Sequence, residues 1–313
     1  MSKKEVTKFF HDNAEQWVLN GYNDDGYNYP VALHRLRIIK KILSNYSEGL
    51  EIADLGCGGG NISLALAELG FNVTGIDGAN NMIKLSNSLR SKASIDIQKK
   101  VNFEHSPITN NKQKDGKFDV CIAMGVIGYF DLDSELFNEA KRLLKPNGIF
   151  IVSCRNRLLN MQSLSFRTID EVRGGSAVNL IEEIEGLYAR VPDYKVNSMI
   201  KNLKESVNDL SEKNIYDNEK MKSPSDKSID GQSYKPYFEP RQHTPKELKK
   251  NAILCGFSNV SYHGVHPHIM DPNINKLLPP KVFNKVSSCL EVLEDLPISL
   301  TWSSVFIGTF IKK

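Results

Sequence analysis

The chain has 313 residues, enough to bury a full core in one large domain or two small ones. Forty basic against thirty-seven acidic side chains leave a formal charge of +3 with no basic block, which argues against a nucleic-acid partner. Five scattered cysteines without a C-x-x-C pair predict reduced thiols. The opening stretch Met1–Lys8 is charged and lacks the apolar core of a signal peptide, and no apolar run approaches membrane-spanning length. A soluble, cytoplasmic chain is expected.

Residues 5–20 predict an amphipathic helix with Val6, Phe9, Phe10, Ala14, Trp17 and Val18 on one side. A turn-rich stretch follows, then a helix near 30–46. Strands are expected at about 50–54, 71–76, 101–104, 118–124 and 149–154, with helices to about 69, at 79–91 and at 132–144. Lys145-Pro146-Asn147-Gly148 stops the last of these helices. The alternation predicts a parallel sheet covered on both faces. From 157 to 240 the chain turns helical and charged, and Lys195–Asp230 alternates lysines with acids. A solvated insertion and a lid over the strand ends both remain open for it. Thr244-Pro245-Lys246-Glu247 opens another helix, with Thr244 as N-cap, Pro245 at N1 and Glu247 reaching back. A strand at about 259–265, a helical insertion at 281–295 and a last strand at 303–310 complete the order.

The most informative segment is Asp54-Leu55-Gly56-Cys57-Gly58-Gly59-Gly60, between a predicted strand and helix. Gly56, Gly58 and Gly60 bare the backbone to a ligand. Asp77 ends the next strand, about 20 residues on, where a carboxylate can accept the hydroxyls of an adenosine ribose. That spacing suits NAD or S-adenosylmethionine. A pyrophosphate binder favours G-x-G-x-x-G at a helix N-terminus. Here the glycines run G-x-G-x-G behind an acid, which suits a sulfonium and an ammonium better than a pyrophosphate.

With Lys117-Phe118-Asp119-Val120, Gly125–Phe130 and Arg142-Leu143-Leu144-Lys145-Pro146-Asn147-Gly148, this loop resembles the motifs of class I S-adenosylmethionine-dependent methyltransferases. The resemblance is firm over about 45–155 and holds in outline over 240–312. It implies an α/β, Rossmann-like seven-stranded sheet with the last strand antiparallel, and a helical insertion after strand five acting as lid. The expected organisation is an N-terminal helical cap (1–48), a cofactor-binding core (49–156), the insertion (157–240), and the rest of the core with a second insertion (241–313).

Carried over by position, the resemblance implies that Asp54, Gly56, Gly58 and Gly60 wrap the methionine and ribose of the cofactor, and that Asp77 takes the ribose hydroxyls. Ala79, Asn80 and Met82 would lie at the adenine edge, and Ala123, Met124 and Gly125 at the ammonium. Ser106 stands where the family often has an acid towards the adenine amine. Arg35 or Arg37 would pair the cofactor carboxylate. Trp17 and Tyr22 lie where related enzymes fold an N-terminal segment over the cofactor. Ala123-Met124-Gly125-Val126 replaces the N/D-P-P-Y/F element of base methyltransferases. Ser153–Arg157 and the Thr244–Leu248 helix are similar to quinone O-methyltransferases.

His243 is the candidate base and Tyr129 a second catalytic candidate. Asn156, Arg157, His263, His266 and His268 are candidates for the acceptor side. The histidine triplet is split by Pro267 and lacks an acid cluster, so no metal is expected. The expected reaction is methyl transfer from S-adenosylmethionine to a small molecule or glycan precursor, at oxygen. An RNA or protein methyltransferase, a cofactor-binding protein without turnover and a dehydrogenase are the alternatives.

Overall fold

The computed structural model describes residues 3–22, 29–188, 239–268, 270, 271, 274, 283, 284 and 287–313. Its strands are β1 (Glu51–Leu55), β2 (Asn72–Asp77), β3 (Val101–His105), β4 (Phe118–Met124), β5 (Leu144–Asn156), β6 (Gln242–His243), β7 (Phe257–Pro267) and β8 (Ser303–Lys312). They form one sheet in the order β3-β2-β1-β4-β5-β8-β7, with β6 attached to the end of β5. The central strands are parallel, and β8 runs antiparallel to both neighbours. The expected mixed sheet with an antiparallel last strand is therefore present, with the two-residue β6 added.

The helices are α1 (Lys3–Asp12), α2 (Ala14–Tyr22), α3 (Val31–Leu43), α4 (Asn61–Ala67), α5 (Asn80–Ser91), α6 (Ile95–Lys100), α7 (Asp133–Leu143), α8 (Phe166–Arg173), α9 (Ala177–Tyr188), α10 (Pro245–Leu254) and α11 (Ser299–Trp302). Two apolar clusters fill the two faces of the sheet. One joins β4 and β5 to Leu136, Phe137, Ala140, Leu180, Ile181 and Leu248. The other joins β1 and β2 to Ile38, Ile39, Ile62, Leu66 and Ile83. Strands such as Ile149–Cys154 are apolar without alternation because both of their faces are covered.

Three details depart from the sequence pattern. The single N-terminal helix expected over 5–20 is broken at Asn13, whose amide Nδ2 donates to the Phe9 carbonyl at 2.9 Å. Helix α6 buries none of its residues, so it leaves no apolar period to read. Strand β5 begins at Leu144, which pairs with Phe118; the Lys145–Gly148 turn bulges out of the ladder with Asn147 at a φ of 61°, and pairing resumes at Ile149 against Val120.

The capping box at α10 forms as its residues dictate. Glu247 N–H donates to Thr244 Oγ1 at 3.1 Å, and Thr244 N–H donates to Glu247 Oε2 at 2.9 Å. In the described part of the long insertion, Val172, Ala177, Leu180, Ile181 and Ile184 of α8 and α9 join the core. The lysine- and acid-rich run 195–230 lies outside the described residues, and so does most of 269–286. No helix among the described residues is long and apolar enough to cross a membrane.

Candidate active site

Strand order reverses between β1 and β4, and a crevice opens beyond their carboxyl ends, where α/β sheets bind ligands. A cavity of about 280 Å³ occupies it. Its floor is the glycine loop. Gly56 has a φ of 78°, and a Cβ there would stand 2.6 Å from Val126. Gly60, at a φ of 81°, caps α4 and leaves no room for a side chain against Phe103 and Ser86. Gly58, at 52°, donates its N–H to Asp77 Oδ2 at 2.9 Å. The loop thus folds as it does because only glycine satisfies both its angles and its contacts.

Asp77 ends β2 and accepts a second backbone N–H, from Ala79, at 2.8 Å. Burial raises its pKa, and these two N–H groups partly offset that. Asp54, one layer behind the wall and 2 % exposed, accepts a hydrogen bond from Ser63 Oγ at 2.6 Å. Burial pushes its carboxyl up to about 7, helped by the charge of Asp77 and opposed by Ser63. Two desolvated carboxylates side by side make a site that gains from a cation.

Arg35 also stands on the cavity wall. Burial lowers its pKa, its Nε is buried without a hydrogen-bond partner among the described residues, and its Nη1 lies 3.1 Å from where a Gly125 Cβ would be. The loop behind it is fixed by Gly125 N–H donating to Ser153 Oγ at 2.7 Å. Two acids and a guanidinium with an unpartnered Nε fit a ligand that carries cationic groups, a carboxylate and a ribose.

The roof comes from the N-terminal helices and the end of the insertion. Phe10 packs edge-on against Trp17 and Tyr129, with ring centroids 5.0 and 5.4 Å apart, and all three line the cavity. Val18 of α2 rests on the loop at Gly59, where a Cβ would come within 2.6 Å of it. Arg241 closes the far side. Its N–H donates to the Gly128 carbonyl at 2.9 Å, its Nε donates to the Phe130 carbonyl at 2.7 Å, and its guanidinium pairs with Asp133.

Of the residues singled out in the sequence, Gly56, Gly58, Asp77, Ala79, Met82, Met124 and Tyr129 stand on the cavity wall. Asp54, Gly60 and Ala123 lie directly behind it as supports. Tyr22 sits beside Asp54 and Arg35, and burial raises its phenol pKa. Ser106 is off the wall; the next three residues, Pro107, Ile108 and Thr109, take its place.

Other candidates point elsewhere, each for a visible reason. Arg37, 57 % exposed, pairs with Glu291 at 2.6 Å on the outside of α3; the residue on the cavity is Arg35. His243 is buried, with Nε2 2.9 Å from Asp133 Oδ1, and is not on the wall. Asn156 is likewise buried and donates to the Leu300 and Ser303 carbonyls at 2.6 and 2.8 Å. Arg157 grips Glu171 through Nε and Nη2 and Glu247 through Nη1. His263 pairs with Asp295 at 2.6 Å, while His266 stacks on Tyr29 and touches the His268 ring. All three histidines belong to the β7 edge, three strands from β4. The wall also holds residues the sequence did not single out as site residues: Phe10, Arg155 and Arg241.

Residues 46–220 match the family model described as a methyltransferase domain. The chain belongs to that family and is a class I S-adenosylmethionine-dependent methyltransferase. It is 34% identical over 182 residues to the ubiquinone biosynthesis O-methyltransferase of Rickettsia felis, a match covering 56% of this chain and 70% of that protein. It is 33% identical over 177 residues to the protein of the same name from Rickettsia canadensis, covering 56% and 72%. Among solved structures, magnesium protoporphyrin IX methyltransferase from Synechocystis PCC 6803 with bound SAH covers 100% of both chains at a TM-score of 0.54 and 12% identity. A putative methyltransferase of Haloferax volcanii, in complex with the activator Trm112, covers 96% of both at 0.52 and 13%. These two share the fold.

Proposed function

We propose that this chain moves a methyl group from S-adenosylmethionine to a hydroxyl of a small aromatic acceptor of the quinol or catechol kind. The observation that carries the reading is the continuity of one cavity. Its acid-lined end fits the cofactor, and the wall continues through Phe10, which packs on the Ala14, Ala79 and Met82 cluster and on Tyr129, to Tyr129 and Phe130 beside arginines. The relatives named above act in ubiquinone biosynthesis, which supports a ring-bearing acceptor. The relatives named above lend no support to a glycan precursor.

In this reading Asp77 accepts the ribose hydroxyls with the lone pairs left over from Gly58 and Ala79. Arg35 holds the methionine carboxylate, and Asp54 balances the cationic centre from behind the loop. S-Adenosylmethionine supplies an activated methyl carbon, and the protein supplies alignment and exclusion of water. Tyr129 stays protonated at neutral pH, because burial raises its pKa, so it donates a hydrogen bond rather than taking a proton. The guanidinium groups around it favour the ionised form of an acidic hydroxyl such as a phenol. His243 then serves as a positioning residue, steadying Asp133 and through it Arg241.

The test is incubation with methyl-labelled S-adenosylmethionine and a panel of catechols and quinols, beside fractionated extract. Label in hydroxylated rings is the expected result. Label in RNA or protein would overturn the acceptor class. Cofactor binding without label in any fraction would favour a binding protein. His243→Ala should lower turnover only a few-fold; loss of turnover at unchanged cofactor affinity would restore it as base.

A further inference from the structure

Three arginines line the cavity, and the protein neutralises one of them. Arg241 is paired with Asp133. Arg35 is matched, in the reading above, by the cofactor carboxylate. Arg155 remains. Its backbone is held at the end of β5 between Gln242 of β6 and Val305 of β8, while its side chain is exposed on the cavity wall. Among the described residues it makes no hydrogen bond and no ion pair. Elsewhere other arginines have partners: Arg37 has Glu291, Arg142 has Glu139 and Asp115, Arg157 has Glu171 and Glu247, and Arg90 donates to the Gln98 carbonyl. An unpaired guanidinium on a cavity wall is a departure from that habit.

The groups facing Arg155 make the departure sharper. Its charge is felt by the Tyr129 phenol and by Arg35, one neutral and one cationic. The two acids of the site, Asp54 and Asp77, stand at the opposite end around the glycine loop. The cofactor brings a single carboxylate, so it has no second anion to offer.

We propose that Arg155 anchors a carboxylate on the methyl acceptor, which makes the acceptor a hydroxylated aromatic acid rather than a neutral ring. This deepens the function proposed above and rests on it. A guanidinium fork matches a carboxylate with two parallel hydrogen bonds, and the aromatic roof would hold the ring so anchored.

The experiment is calorimetry on the full chain saturated with S-adenosylhomocysteine, titrated with 3,4-dihydroxybenzoate and with its neutral amide, 3,4-dihydroxybenzamide. The acid should bind about tenfold more tightly, the size of one charge-assisted contact. In Arg155→Met that preference should vanish while S-adenosylhomocysteine affinity holds, and Arg155→Lys should keep part of it. Equal binding of acid and amide, or binding of neither, would overturn the proposal. So would a preference that survives in Arg155→Met, or an Arg155→Met that loses S-adenosylhomocysteine as Arg35→Met does. Failure of the unaltered protein to bind S-adenosylhomocysteine would instead strike the underlying reading, and this proposal with it.

Discussion

The two ends of the cavity are built by different means. The end assigned to the cofactor is made of backbone: three glycines at positive φ, two N–H groups folded onto Asp77, and the tips of β1 and β2. Apart from Arg35, the parts named for it lie within Asp54–Met82, so local sequence determines most of its shape. The end assigned to the acceptor is made of side chains delivered by elements far apart in the chain, with Tyr129 after β4, Arg155 from β5 and Arg241 just before β6. A backbone site tolerates few substitutions and recognises one ligand. A side-chain wall can change its ligand one residue at a time.

The sharpest way to break the first end is Gly60→Ala. It places a Cβ within 2.6–2.7 Å of Phe103 and Ser86 at a φ of 81°, and the strain should cost about 2–4 kcal/mol in a denaturant melt. A cost below about 1 kcal/mol would mean that the loop yields easily. Asp77→Ala removes the ribose acceptor and frees two N–H groups. S-Adenosylhomocysteine affinity should fall about 10- to 100-fold by calorimetry, and an unchanged affinity would sink the ribose assignment.

Arg35→Met should cost about tenfold in the same assay. Because it deletes a half-buried cation that has no ion-pair partner among the described residues, the ligand-free protein should melt no lower than the parent. Coupled loss of affinity and stability would make Arg35 structural instead. Its neighbour is the control. Arg37→Ala breaks an exposed pair and should move affinity less than about twofold.

Asp54 gives the comparison a pH axis. Its folded pKa is raised to about 7, so the protonated form is favoured in the ligand-free fold. The stability this contributes is present below the unfolded value of about 4 and is lost as pH rises through about 7. A cationic cofactor favours the ionised carboxylate, so its affinity should rise about tenfold between pH 6 and 8. Asp54→Asn should flatten that rise, and a rise that persists in the variant would assign it to another group.

What was legible follows the same division. The succession of strands and helices, the glycine loop and Asp77 could be read because period, turn residues and spacing are local signals. The choice between Arg35 and Arg37 was also within reach. Two residues apart on a helix, they stand about 200° apart, and Ile38 and Ile39, three and four residues beyond Arg35, mark its side as the buried one. The acceptor wall was not legible, because Arg155 and Arg157 look alike in sequence, and only the fold shows that one has acids beside it. His243 misled in a related way. Its place before a well-capped helix is real, but β6 turns it inwards to Asp133.

One contact links the glycine-loop floor to the roof of the N-terminal helices. Val18 rests where a Gly59 side chain would be. A larger residue at 59 can be accommodated only if position 18 shrinks or the helix lifts away. The two positions, forty-one residues apart by number, should therefore drift as a pair across descendants of this chain. A lineage that loses one partner should carry a compensating change in the other, a signature readable in sequences alone.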